Sequence, residues 1–264
     1  MNKWIFKGVF IAGLGFMSAC GSDKSKETAV APSTKLSNEE SIQAEITAID
    51  EEAAKADVVA YSLNYTKESG DAIRVAAHLS SDNVILKIDE RFAEPNGGNS
   101  GTITYYMKEK FPFATREYFE DNSNSKGSKF VERISYYDKK GKVLSTKEKR
   151  VDYEEELANV NFVSVPLHAC SVDRAMQVLE QKGEFETTFQ GFAKTNTMDY
   201  FIVGQPEKDG YSSALGIEIQ DAFIQDALRN EAKYLNRKCR VTFTSVTTTS
   251  GYEYQMYTSG QWVD

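Results

Sequence analysis

Apolar residues recur at helical spacing at Ile42, Ile46, Ile49, Ala53 and Ala56, which predicts an amphipathic helix starting just after Ser37. Ser37-Asn38-Glu39-Glu40 supplies its start signal, a side-chain acceptor with a Glu three positions on. Glu45, Asp50, Glu51 and Glu52 fall outside the apolar stripe and are expected to face solvent. From Val59 the period changes to two. Val59, Tyr61, Leu63 and Tyr65 alternate with polar or small residues, and Ile73, Val75, Ala77 and Leu79 do so again. Further strands are predicted at 84–92, 102–109, 112–120, 129–138 and 142–153. The turns between them include Glu94-Pro95-Asn96-Gly97-Gly98-Asn99-Ser100-Gly101. Short links between successive strands make an antiparallel meander.

The meander contains a repeat. Ile103-Thr104-Tyr105-Tyr106-Met107-Lys108 matches Ile134-Ser135-Tyr136-Tyr137-Asp138-Lys139, and Thr115-Arg116-Glu117 matches Thr146-Lys147-Glu148, always 31 residues apart. One copy is a strand, a turn and a return strand, so the pattern is a duplicated hairpin. It loosely resembles the tyrosine-and-glycine hairpin repeats of bacterial surface proteins. Neighbouring residues of a strand point to opposite faces, so one tyrosine of each pair is expected in the core and the other at the surface.

After the apolar run Val160 to Pro166 the composition shifts. Ser171 can cap a helix carrying Val172, Ala175, Met176 and Leu179, ended by Gly183. Strands are expected at 184–194, 199–203 and 213–219. An amphipathic helix from Asp221 then carries Phe223, Ile224, Ala227, Leu228, Tyr234 and Leu235, and strands follow at 239–248 and 251–258. Three strands, a helix and two strands between Gly183 and Tyr257 resemble the OB-fold, a five-stranded barrel; the likeness rests on element order alone. The expected fold class is α+β, mainly antiparallel β: an N-terminal helix and β-meander over 37–166, then a small OB-like barrel over 167–264.

Ahead of the helix lies a different kind of sequence. Lys3 and Lys7 give a positive start, Gly8 to Phe16 is apolar or small, and Met17-Ser18-Ala19-Cys20 precedes polar sequence. This is the layout of a secretory signal, and the apolar run falls short of the ~20 residues that a spanning helix needs. Met17 to Cys20 resembles the lipobox of bacterial lipoproteins, with Met17 where Leu is commonest. The resemblance implies cleavage before Cys20 (residues 1–19 removed) and lipidation of Cys20, with palmitate-type chains holding the protein to the cell envelope. Gly21 stands where Asp would favour the inner membrane, which points to the outer membrane. Residues 20–36 (CGSDKSKETAVAPSTKL) form a tether with a reach of roughly 20–25 Å.

That compartment bears on the other two cysteines. Cys170 and Cys239 fit a disulfide in an oxidising setting, worth roughly 4 kcal/mol in the chain-entropy model; the alternative is two separately buried thiols. A net charge of −8 and the absence of a long basic run argue against nucleic acid as a partner.

Catalytic patterns are scarce. There are two histidines, His78 and His168, and neither forms a zinc-like spacing with cysteine, so no metal or cofactor is expected. Gly210-Tyr211-Ser212-Ser213-Ala214 lacks the second Gly of a nucleophile elbow, and Gly97-Gly98-Asn99-Ser100-Gly101 lacks the Lys and helix of a phosphate loop. Asp152 and Glu154-Glu155-Glu156 have no calcium-loop spacing and suit a solvated edge. The expected role is therefore non-catalytic binding or scaffolding in the envelope, with a protein or saccharide partner. Candidate contacts are Tyr105, Tyr106, Tyr136 and Tyr137 on the hairpin repeat, and Gln190, Phe192 and Tyr200 on the barrel face. The alternatives are a hydrolase whose residues converge only in space, or an inhibitor or immunity-type protein that binds through exposed tyrosines.

Overall fold

A computed structural model describes residues 38–263, except 57, 96, 97, 110, 124–126 and 252. Cys20, the lipobox, the tether and the capping residue Ser37 lie outside the described residues. Helix α1 (Asn38–Ala53) buries Ile46, Ile49 and Ala53, as its apolar stripe requires. Its polar face is less solvated than the pattern suggests. Asp50 accepts from Tyr106 Oη (3.1 Å) and from Lys87 Nζ (2.9 Å), while Glu45 meets Lys108 at 2.6 Å. These carboxylates pin the helix to the sheet beneath it.

The expected first strand is two short ones, β1 (Val59–Tyr61) and β2 (Tyr65–Thr66), both paired to β3 (Ala72–Leu79). The meander continues through β4 (Ile85–Ala93), β5 (Ser100–Lys108), β6 (Phe111–Asp121), β7 (Lys129–Tyr137) and β8 (Val143–Val151). A 3-10 turn (Glu154–Asn159) and the two-residue β9 (Val163–Ser164) close this edge. Helix α2 (Asp173–Glu180) follows, with Ser171 Oγ accepting from Asp173 N at 3.1 Å. Then come β10 (Thr188–Lys194), β11 (Asp199–Gly204) and β12 (Ser212–Ile217). Helix α3 (Ala222–Arg229) is capped by Asp221, which accepts from Ile224 N, and a break at Asn230 separates it from α4 (Glu231–Tyr234). The chain finishes with β13 (Cys239–Thr247) and β14 (Glu253–Trp262).

Among the described residues fourteen strands form one sheet, antiparallel except where β12 meets β14. The regions 37–166 and 167–264 are joined within it, because Ser212 of β12 pairs with Thr66 of β2. They also share a core: Leu63, Tyr65, Ile73, Val75, Ile88 and Tyr105 pack in one cluster with Phe185, Phe189, Phe201, Leu215 and Ile224. A smaller cluster under α1 gathers Ile46, Ile49, Tyr106, Ala114, Ile134 and Tyr136. The sheet is thus covered on both faces.

The last five strands pair in the order β10, β11, β12, β14, β13. The approach to β13 returns to β10: Thr188 bridges Lys238, Asn236 N donates to Phe189 O (2.8 Å), and Phe189 N donates to Arg237 O (2.9 Å). Two glycines permit this path. Gly191 adopts φ +113° beside the β10 bulge. Gly216 pairs with Met256, and a Cβ there would collide with the sulfurs of Met198 and Met256. Inside the circuit Phe189 stacks on Phe201 (ring centroids 4.9 Å apart), and Phe201 meets Phe223 edge-on at 5.5 Å.

Candidate binding groove

On β3 the alternation that sends Ile73, Val75 and Ala77 into the core turns Arg74, Ala76 and His78 to the opposite face. The register of β4 sets Arg91 across from Arg74, Asp89 across from Ala76, and Lys87 across from His78. Arg74, Ala76, His78, Asp89 and Arg91 floor a groove of about 850 Å³. Its walls are β1 with Tyr61 on one side and the β13–β14 hairpin with Thr242, Thr244, Ser245, Glu253 and Gln255 on the other.

Polar contacts fix both the floor and the wall. His78 Nε2 lies 2.9 Å from Asp89 Oδ2, and since a carboxylate only accepts, Nε2 carries the proton. Thr104 Oγ1 donates to the other Asp89 oxygen at 2.7 Å. Arg74 Nη1 meets Glu253 Oε2 at 2.5 Å, spanning the groove from floor to hairpin. The Arg74 hydrogen bond and charge, helped by Arg91, hold the Glu253 carboxyl below the usual carboxylate range. Gln255 is buried; its Oε1 accepts from Asn64 N (2.8 Å) and its Nε2 donates to Ser62 O (2.9 Å). The hairpin is therefore anchored to the segment that follows Tyr61, between β1 and β2. Tyr61 itself is 52% exposed, and Arg91 is exposed on the floor.

The His78–Asp89 pair is not arranged for proton transfer to a ligand. Nε2 is engaged by Asp89, and Nδ1 is buried without a hydrogen-bond partner. A general base needs a nitrogen within reach of the proton it takes.

The residues expected from sequence sit elsewhere. Tyr105, Tyr106, Tyr136 and Tyr137 are all at least 94% buried, which overturns the expectation of one exposed tyrosine per pair. Tyr105 Oη donates to Ser171 O (3.1 Å) and Glu90 (3.3 Å), and Tyr137 Oη accepts from Cys170 N (2.9 Å). Tyr106 and Tyr136 lie under α1. The cause is coverage: α1 closes one face and the chain around 168–178 the other. Gln190 bonds Thr188 and Asn236, Phe192 packs on Phe189 and Phe201, and Tyr200 is half-buried; none of the three lines the groove.

The expected disulfide is not formed, and both thiols are free. Cys239 lies in the core, where burial pushes its thiol up to about 12. Cys170 lies over β6, where burial first and the Glu117 carboxylate second push its thiol up to about 12. The groove residues escaped sequence reasoning because they come from β1, β3, β4, β13 and β14. The one available signal was two arginines, Arg74 and Arg91, on the outward phase of adjacent strands.

Comparison with protein-family models, with curated proteins and with solved structures found no match.

Proposed function

We propose that the chain is a lipid-anchored cell-envelope protein that binds a saccharide in the groove between β3–β4 and the β13–β14 hairpin. The carrying observation is the lining of that groove. An exposed aromatic ring, Tyr61, shares the groove with the hydroxyls of Thr242, Thr244 and Ser245, the Gln255 amide and the guanidinium groups of Arg74 and Arg91. A sugar presents hydroxyls that need many donors and acceptors, and a C–H face that packs on an aromatic ring. A lining of roughly balanced polar and apolar character suits such a ligand better than a mostly apolar pocket of the kind that holds drug-like molecules.

The anchor part rests on Lys3, Lys7, the apolar run and the lipobox ending at Cys20. Stable anchoring takes more than one acyl chain, as the lipoprotein pattern supplies. Among the described residues no helix is long and apolar enough to cross a membrane, so the lipid is the proposed attachment. Gly21 favours the outer membrane. An OB-like barrel over 183–262 is supported by the strand circuit β10–β11–β12–β14–β13, its return to β10, and α3 between the third and fourth strands.

The buried tyrosines remove the surface that an inhibitor-type reading needs. The sealed His78 nitrogens weigh against the hydrolase reading. The test is a glycan array followed by calorimetry on the best-retained glycan. Tyr61→Ala and Arg91→Ala should each weaken binding about tenfold or more, in line with loss of a ~1.4 kcal/mol contact. No glycan retained, or unchanged affinity in both variants, would refute the proposal.

A further inference from the structure

On the opposite face of the sheet from α1, side chains of β6, β7 and β8 stand in a row, with Glu117 paired to Arg133 and Arg133 to Glu148. The chain leading into α2 crosses this row and is clamped to it through its backbone. His168 N donates to Thr146 Oγ1 (2.9 Å), Ser135 Oγ donates to His168 O (2.8 Å), and Cys170 N donates to Tyr137 Oη (2.9 Å). The clamp brings His168 and Cys170 together over Glu117. A ring nitrogen of His168, Cys170 Sγ and a Glu117 carboxylate oxygen all lie within 4.8 Å of one another.

We propose that Glu117, His168 and Cys170 form a three-ligand site for a divalent transition metal, with zinc the best chemical match. Thiolate, imidazole and carboxylate are the three donor types that zinc accepts together. His168 Nε2 and Glu117 Oε1 are 3.3 Å apart. Two ligands ~2.0–2.1 Å from a tetrahedral centre would stand ~3.3–3.4 Å apart.

The carboxylate is already oriented for this. Arg133 Nη1 takes Glu117 Oε2 at 3.3 Å, while its other nitrogens hold Glu148 at 2.8 and 3.0 Å. That leaves Glu117 Oε1, which is buried, makes no well-formed hydrogen bond, and faces His168 Nε2 at 3.3 Å. A metal-bound carboxylate oriented by a second group is the usual outer-shell pattern. An ion at Oε1 would take the place of this loose contact with His168 and bind both groups. On binding, the Cys170 thiol loses its proton to solvent and the sulfur takes the metal as thiolate. His168 is 42% exposed, so a fourth position opens to water, as in zinc sites that keep an exchangeable ligand.

The site lies away from the groove and stands or falls independently of the saccharide reading. Reduced, metal-free full-length protein is titrated with Co²⁺ and followed in the ultraviolet and visible. One equivalent should bind with a thiolate-to-cobalt charge-transfer band that Zn²⁺ bleaches. Cys170→Ser should abolish the band. His168→Ala and Glu117→Gln should each weaken binding about tenfold or more while retaining the band. His168→Ala removes a partly exposed side chain and decides the matter should Cys170→Ser or Glu117→Gln fail to fold. Absence of saturable binding, a band that survives Cys170→Ser, or wild-type affinity in His168→Ala would overturn the proposal.

Discussion

Tyr105 and Tyr136 occupy the same place in the 31-residue sequence repeat yet lie on opposite faces of the sheet. Tyr105 packs into the main core beside α2, and Tyr136 packs under α1. The pairing explains it. Ala114 faces Tyr106 on one side and Tyr136 on the other, so strand neighbours are 30 residues apart where sequence equivalents are 31. One residue of offset reverses the face of each β7 side chain relative to its β5 equivalent, whereas β6 and β8 pair at 31 residues and keep their faces, as Glu117 and Glu148 do on either side of Arg133. The duplicated hairpin therefore serves two different cores.

Helix α1 is an integral cover of the sheet. Ile46 is 1% exposed and contacts a cluster that only α1 completes. Ile46→Ala should destabilise by about 2–4 kcal/mol in urea unfolding, the ordinary cost of deleting a buried aliphatic side chain. A change under ~0.5 kcal/mol would mean that the helix is not packed there.

Glu90 is fully buried on β4, with Arg174 of α2 and Tyr105 as its partners. Removing Arg174 leaves a buried carboxylate without its cation. Arg174→Ala should cost about 2–4 kcal/mol, at or below the usual range for a broken buried pair because the arginine is partly exposed. Adding Glu90→Gln should recover part of that loss. A strictly additive double mutant would contradict the coupling.

The cysteines give a prediction opposite to the sequence expectation. Non-reducing peptide mapping should find Cys170 and Cys239 unlinked, and a reductant should leave thermal unfolding unchanged. The Cys239 thiol should also resist alkylation at pH 8 until the protein is denatured, since burial holds it up to about 12. A Cys170–Cys239 peptide would refute the packing described for both.

Acid stability carries a signature of Asp121. Hydrogen bonds from Arg150 and Ser123 lower its carboxyl from 3.8 to about 2. A group depressed in the folded state stabilises above its unfolded pKa and ceases to as pH falls through the folded value. Stability should therefore decline from pH 4 towards pH 2, and Asp121→Asn should flatten that part of the profile. An identical slope in the variant would remove Asp121 as a contributor.

What sequence disclosed was what is local. Period two located the strands from Ile73 to Val151, and the stripe Ile42–Ile46–Ile49–Ala53 oriented α1. What it withheld was contact between distant segments. Nothing near Tyr105 or Tyr137 announces that residues 168–180 cover them. Nothing near Arg74 announces Glu253, 179 positions away, as its partner. His168 and Cys170 stood two positions apart in plain view, but no periodicity points to Glu117 as the third group.

The groove is the centre of the account, and the most direct test is a backbone amide NMR titration of the folded protein with the glycan it retains best. Shifts are expected at Tyr61, Arg74, Arg91, and along Val241 to Ser245. Shifts confined to Gln190, Phe192 and Tyr200, or none at saturating glycan, would contradict it.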